Sequence, residues 1–406
     1  MASTHRSAHR WLIAAVAGSV LLAACGSSAS TSGSGGGGGP AQVTTLGQNA
    51  ELTGGGAVVG NGWKSGVQLA IDRLNNAGGI TVNGQKYTFA VDTKDNQTKP
   101  DQAITIDQGF LAKNYKFFLG PGVSTIFTPT FASLKGKSVL QLTPATTSIP
   151  LLGTADGQYL FDTHLAEDGP SGRTVLYAKF LIQQYHPSTV ALLLPQDGPG
   201  ELYSQIMNRE FTNAGVKVVY SDFFPDSQRD FSSYIASIQS KNPDLMFGMG
   251  TLDSQGSPFM TQAAQAGFTS PVFAGAPGLS TPTLKGVESK IKTFVFSVTT
   301  RAVDNTSDAQ LADYRTFFAS DLGKQPDSAS FWTLSFYDPV LILANAMVQA
   351  GSVTDVAKIT DAMTKITTYP NSALNEHFSS VHQAVYTPQF GVATNGQVAY
   401  SNAPTA

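Results

Sequence analysis

Residues 117–150 read FFLGPGVSTIFTPTFASLKGKSVLQLTPATTSIP. The order is strand, glycine turn, helix, strand, hydroxyl-rich turn. Phe117, Phe118 and Leu119 form a short apolar run suited to a strand buried on both faces. Gly120, Pro121 and Gly122 break it. Ser124 and Thr125 then open a helix that carries Ile126, Phe127, Phe131 and Leu134 on one side. Gly136 ends that helix, and Val139, Leu140 and Leu142 predict the next strand, which runs into Thr143, Thr146 and Thr147. In an open parallel sheet, ligands sit beyond the carboxyl ends of the strands. Two consecutive strand ends therefore offer hydroxyls and free N–H groups to one crevice. The helix N-terminus adds partial positive charge suited to an anion. The same hydroxyls also serve as ordinary helix caps and turn residues, so the choice falls to the rest of the chain.

Upstream of this stretch, Val43 to Asn49 predicts a strand. Trp63, Val67, Ala70, Ile71 and Leu74 share a helix face that Gly78 and Gly79 stop. Tyr87, Phe89 and Val91 alternate as in a strand. Pro100 sits well in the first turn of the following helix. This β-α-β-α-β-α-β order predicts a parallel sheet with helices on both faces. The pattern restarts after Gly169 and Pro170. Helices are expected at about 173–185, 201–213, 231–240 and 257–266, and strands at 190–194, 216–220, 245–247, 272–274 and 294–298. Three more helices start near Asp308, Thr333 and Thr354, and the tail from Ser379 reads as short strands. The fold class is α/β, with two doubly wound parallel-sheet lobes around a ligand cleft.

The chain has 406 residues, 41% of them hydrophobic and only 13% charged, with a formal charge of −3. Its mean hydropathy is −0.04. That is room for two domains of ordinary size and a sizeable core. No basic block is present, which argues against a nucleic-acid partner.

The N-terminus carries a targeting signal. A basic start with Arg6 and Arg10 leads into an apolar run, Trp11 to Ala23, which is short for a membrane span. Small residues Ala23 and Ala24 precede Cys25, the sole cysteine of the chain. This pattern matches a bacterial lipobox, so Cys25 is the expected lipidation site. Removal of residues 1–24 leaves 23 basic against 28 acidic groups, a net −5. Residues 27–39 are nearly all Ser and Gly. They read as a tether with a reach of about 20 Å. No later segment reads as a membrane span.

Catalytic and cofactor motifs are missing. Gly54, Gly55 and Gly56 miss the dinucleotide fingerprint because the third glycine falls late, at Gly60. Gly136-Lys137-Ser138 lacks the upstream glycine of a phosphate loop. There is no Gly-x-Ser-x-Gly elbow, and one cysteine cannot build a cysteine-based zinc site. His164, His186, His377 and His382 show no metal-ligand spacing. The expectation is a binding protein with no cofactor and no metal.

Several landmarks, in order, resemble the type I periplasmic binding proteins, in the branch that serves branched-chain amino acid ABC transporters. They are Leu52-Thr53-Gly54, Leu74 to Ile80, Asp95 to Pro100, Gly120 to Ser124, Thr143 to Thr147, Asp230-Phe231-Ser232, Pro243-Asp244, and Tyr337-Asp338 with Ala344, Ala346 and Gly351. The likeness runs from about Gln42 to about Ile366. It implies two lobes hinged by three crossing segments and delivery of a small ligand to a permease with a cytoplasmic ATPase. The implied division is signal 1–24, tether 25–41, lobe 1 at 42–163 and 297–375, and lobe 2 at 164–296 and 376–406. The protein is expected to be an extracytoplasmic, lipid-anchored monomer. A sensor of the same fold and an extracellular enzyme are the rival readings.

The resemblance places the carboxylate and amine of an amino acid at Ser124, Thr125, Ala145, Thr146 and Thr147. It also marks departures. Val59 stands where such proteins often carry an aromatic residue, as do Pro199, Thr251 and Leu252, and the acid that pairs with the amine falls at Pro277. A buried ammonium without a carboxylate is costly. The reading therefore leans to a small carboxylate, amide or other polar metabolite, with amino acids open. Thr251 is a second-lobe contact candidate. Asp253 is a candidate replacement for the missing acid, against the alternative of a solvated loop aspartate. Tyr203 is a candidate replacement aromatic, against packing in its helix.

Overall fold

The computed structural model describes residues 40–404; Cys25, the signal segment and the tether lie outside the described residues. The first sheet and its helices run β1 (Gln42–Ala50), α1 (Ala57–Asn76), β2 (Ile80–Val82), β3 (Gln85–Asp95), α2 (Pro100–Ala112), β4 (Phe117–Leu119), α3 (Ser124–Leu134), β5 (Leu140–Thr143) and β6 (Leu160–Asp162). The strand order is β2-β3-β1-β4-β5-β6, parallel except for the β2–β3 hairpin. Every residue of β4 and β5 is buried. Their short apolar runs are what a sheet covered on both faces requires.

The second sheet begins after α4 (Arg173–Tyr185) with β7 (Thr189–Pro195), α5 (Gly198–Asn213), β8 (Lys217–Phe224), α6 (Ser232–Gln239), β9 (Leu245–Gly248), α7 (Asp253–Gln265), β10 (Val272–Gly275) and β11 (Thr293–Val298). The chain then forms α8 (Ala312–Leu322), α9 (Leu334–Ala350) and α10 (Val356–Met363). Of these, α8 and α9 pack on α1, and α10 packs on α9. A two-stranded piece follows, β12 (His377–Phe378) with β13 (Ala384–Val385). Finally β14 (Gln389–Thr394) and β15 (Gln397–Asn402) join the second sheet antiparallel, in the order β15-β14-β11-β10-β9-β7-β8. The result is the expected α/β architecture of two lobes.

The expected elements are present, with informative shifts. Strands β2 and β6 are only three residues long, too short to leave a periodicity. Helix α5 starts at Gly198 rather than Glu201, because Asp197 caps it by accepting from Gly200 N at 2.7 Å. Pro199 fits the first turn, where its missing N–H is no loss. Helix α7 starts at Asp253 rather than Ser257, because Gln255 Oε1 accepts from Thr251 N at 2.9 Å and from Leu252 N at 3.2 Å. The segment Ser330–Ala350 is long and apolar enough to cross a membrane, which the sequence reading overlooked. It is 89% buried, however, and serves as core.

Close backbone contact positions the site. A Cβ on Gly66 of α1 would lie 1.9 Å from Thr333 O. The glycine lets the turn at Ser330–Thr333 press against α1 and sets Trp332 beside Trp63. Their ring centroids are 6.0 Å apart and the rings are perpendicular, a favoured aromatic geometry.

Candidate functional site

Between the lobes lies a cavity of about 180 Å³. This is below the range of roughly 300–1,000 Å³ typical of drug-sized ligands, so the space suits a small molecule. The first lobe contributes the N-terminus of α3, the loop after β5 and the face of α1. The second contributes the loops after β7, β8, β9 and β10 and the start of α5.

The glycine turn after β4 is not open to an anion in the way the sequence suggested. Gly122 N and Val123 N both donate to Glu51 Oε1, each at 3.2 Å. Glu51 directly follows β1, is fully buried, and fills the place that a ligand carboxylate was expected to take at those amides. Burial raises its pKa to about 7, against the pull of those N–H groups and of Asn96. Trp63 is packed so tightly on the turn that a Cβ on Gly122 would lie 2.2 Å from its ring. Thr143 Oγ1 donates to Pro121 O at 2.7 Å, and Gln141 Nε2 donates to Gly120 O at 2.9 Å. These bonds tie the two strand ends into one rigid wall.

Ser124, Thr125, Thr146 and Thr251 line the cavity. Ser124 and Thr125 hold the first two positions of α3, whose amides have no partner within a helix. Thr146 reaches across to Tyr203 Oη at 3.3 Å. Thr251 uses both its N–H and its hydroxyl on Gln255 Oε1. Ala145 is buried behind the wall. Thr147 is turned back to α3, with its Oγ1 donating to Ser124 O at 3.3 Å. Asp253 is neither a cavity wall nor a solvated loop residue. It is buried, and its carboxylate accepts from Ser280 N at 2.9 Å, Ser280 Oγ at 2.7 Å and Thr283 Oγ1. Val59, Pro199, Leu252, Tyr203 and Pro277 do line the cavity.

Sequence reasoning missed several residues of the wall. Both tryptophans among the described residues, Trp63 and Trp332, stand in the wall. The periodicity placed Trp63 on a buried face of α1, but core and cavity wall leave the same pattern. Arg173, the first residue of α4, is only 1% exposed and also lines the cavity. Its Nη2 and Nε are paired with Glu167, the latter at 3.4 Å, while its Nη1 has no partner among the described residues. Glu167 also accepts from Thr174 Oγ1 at 2.6 Å. His164 shares a hydrogen with Ser335 Oγ at 3.0 Å, and burial, then the Arg173 charge, holds it neutral. Among the described residues no group of His, Cys, Asp or Glu could hold a metal ion.

Residues 44–396 match the family model described as periplasmic binding protein. A leucine-, isoleucine-, valine-, threonine- and alanine-binding protein of Pseudomonas aeruginosa is 23% identical over 77% of this chain and 79% of its own. A branched-chain amino acid transporter substrate-binding protein from Streptococcus pneumoniae, solved with isoleucine, superposes with a TM-score of 0.72 at 17% identity over 89% of this chain and 99% of its own. An ABC transporter solute-binding protein from R. palustris, solved with benzoate, gives a TM-score of 0.71 at 16% identity over 90% of this chain and 97% of its own.

Proposed function

Because this chain belongs to the periplasmic binding protein family, we propose that it is the extracytoplasmic solute-binding protein of an ABC importer. It captures a small polar ligand, an amino acid or a small carboxylate or amide, between its lobes and delivers it to a permease driven by a cytoplasmic ATPase. The supporting observation is the cavity itself, whose walls come from both lobes. An occupant that touches both lobes has differential affinity for the closed state, and so shifts the population toward it. Cys25 carries the lipid anchor and residues 27–39 the tether, which keep a monomeric domain close to its permease. No catalytic residue, cofactor or metal enters this reading.

Among its relatives, one is named for leucine, isoleucine, valine, threonine and alanine, and others were solved with isoleucine or benzoate. Ligands with and without an amine therefore both belong in the test. A thermal-shift panel on the purified protein identifies binders, since a ligand at about a hundred times its Kd stabilises by roughly 2.7 kcal/mol. Small-angle scattering with the best binder then reports closure. A fall in radius of gyration on binding is expected. Turnover of the bound compound, or binding with no change in the lobes, overturns the reading.

A further inference from the structure

The cavity is rich in donors that have no acceptor. Arg173 Nη1, Trp63 Nε1 and Trp332 Nε1 are buried and have no hydrogen-bond partner among the described residues. All three side chains stand in the cavity wall and are at most 4% exposed. Native proteins leave few such groups, and each calls for an explanation. A buried guanidinium with an idle N–H is costly unless something arrives to accept from it.

The acidic groups around the cavity are in the opposite condition. Glu51 is taken by two backbone amides, Glu167 by Arg173 and Thr174, and Asp253 by Ser280 and Thr283. The two carboxylates in the wall itself, the half-buried Asp197 and the exposed Asp226, are engaged by Gly200 N at 2.7 Å and Gln255 Nε2 at 2.6 Å. Burial also raises Asp197 toward its neutral form, to about 6. An ammonium entering this cavity finds no wall carboxylate without a partner, whereas three side chains of the wall carry an N–H with no acceptor among the described residues. The apolar part of the lining is Val59, Pro144, Pro199, Leu252 and Pro277, beside the hydroxyls of Ser124, Thr125 and Thr251, and the exposed Arg229 adds a second cation.

Resting on the binding-protein reading above, we infer that the ligand is a small carboxylate with a flat, apolar body and no α-amine. Arg173 Nη1 anchors its carboxylate, and the packed pair of Trp63 and Trp332 forms the wall against which its body lies. Glu167 is then a positioning residue. It holds Nε and Nη2 so that the third nitrogen faces the ligand, and it balances the guanidinium charge when the cavity is empty.

Calorimetry and tryptophan fluorescence on the purified protein test this with matched probes: benzoate, benzamide, benzylamine, 4-methylpentanoate, leucine and phenylalanine. Benzoate or 4-methylpentanoate is expected to bind at least tenfold tighter than its amide or amine-bearing counterpart and to perturb the fluorescence. Arg173→Lys keeps the charge opposite Glu167 but lacks the planar fork. It is expected to weaken carboxylate binding at least tenfold with a thermal midpoint within a few degrees. Trp332→Phe, outside the ion pair, serves as a second variant should Arg173→Lys fold poorly; it removes one idle N–H of the wall and is expected to weaken the carboxylates severalfold, and benzoate binding as tight as the parent's overturns the inference. Tighter binding of leucine or phenylalanine than of the amine-free acids overturns the inference and leaves the binding-protein reading standing. So does a hit from the wider panel that carries no carboxylate. Binding of benzoate by Arg173→Lys as tight as by the parent overturns the role of Arg173.

Discussion

Thr146 Oγ1 and Tyr203 Oη share a hydrogen bond of 3.3 Å, although one belongs to the loop after β5 and the other to α5 of the opposite lobe. Tyr203 is 2% exposed, and its hydroxyl also lies 3.5 Å from Glu167 Oε1. The chain thus contributes its own latch to the closed arrangement, next to the ion pair proposed to hold the ligand. A second contact, Ser254 Oγ to Gly55 O at 3.4 Å, lies at the other edge of the cavity.

Removal of the latch hydroxyl weakens closure without emptying the core. A neutral hydrogen bond contributes about 1 kcal/mol net, so Tyr203→Phe is expected to weaken ligand binding about fivefold. Thr146→Val is expected to do much the same. Because both remove one interaction, the double variant falls short of the sum of the singles. Calorimetric titration of the four proteins checks this. Strictly additive losses mean that the two hydroxyls do not act on each other during closure.

The pH dependence follows from buried acids. Burial raises Glu51, Asp107 and Asp162 each to about 7, against hydrogen bonds that lower them. The folded state therefore keeps protons that the unfolded chain has lost. Their contribution to stability is fully present below the unfolded values and is lost as pH rises through about 7. The thermal midpoint is expected to be higher at pH 5 than at pH 8. Glu51→Gln, which mimics the protonated form and still accepts from Gly122 N and Val123 N, is expected to reduce this slope and to match or exceed the parent at pH 8. A midpoint that rises from pH 5 to pH 8 contradicts the assignment.

The architecture was legible because buried parallel strands are short apolar runs and their helices have one apolar face. Phe117 to Leu119 and Leu245 to Phe247 carry that signal without help. The cavity was half legible. Ser124, Thr125 and Thr146 were found because strand ends in such sheets face the crevice. Arg173 and Glu51 were not, because their meaning depends on partners the chain brings from elsewhere. Arg173 looks like any helix start until Glu167 takes two of its three nitrogens. Glu51 looks like a loop acid until Gly122, 71 residues away, closes over it. Trp63 sat in plain view, but a helix face that lines a cavity repeats just like one that lines a core.

Gly66 carries the wall as much as any side chain in it. A methyl group there meets Thr333 O at 1.9 Å, so the turn that bears Trp332 must move away from α1. Overpacking of this kind costs about 1–3 kcal/mol. Gly66→Ala is expected to lower the thermal midpoint by several degrees. Displacement of Trp332 from Trp63 is expected to shift tryptophan emission and weaken ligand binding. An alanine variant with the parent's midpoint and spectrum shows that the turn has slack which the close packing does not suggest.

Asp253 separates a structural acid from a ligand-binding one. The sequence reading offered it as a replacement for the acid that greets a ligand amine. Its oxygens instead hold Ser280 N, Ser280 Oγ and Thr283 Oγ1 beside the start of α7. Asp253→Ala strands those buried donors, at about 1–3 kcal/mol for each unsatisfied group, and removes an acidic residue from the first turn of the helix. The expected result is a clear fall in thermal midpoint, while the Kd of the best ligand moves less than about threefold because Thr251 and Gln255 keep their own bonds. Asp253→Asn, which retains one acceptor oxygen, is expected to fall in between. The opposite pattern, an unchanged midpoint with an amine ligand lost tenfold or more, requires Asp253 to swing into the cavity when the ligand binds. That would return the α-amine to this site and reverse the choice of ligand made from Arg173.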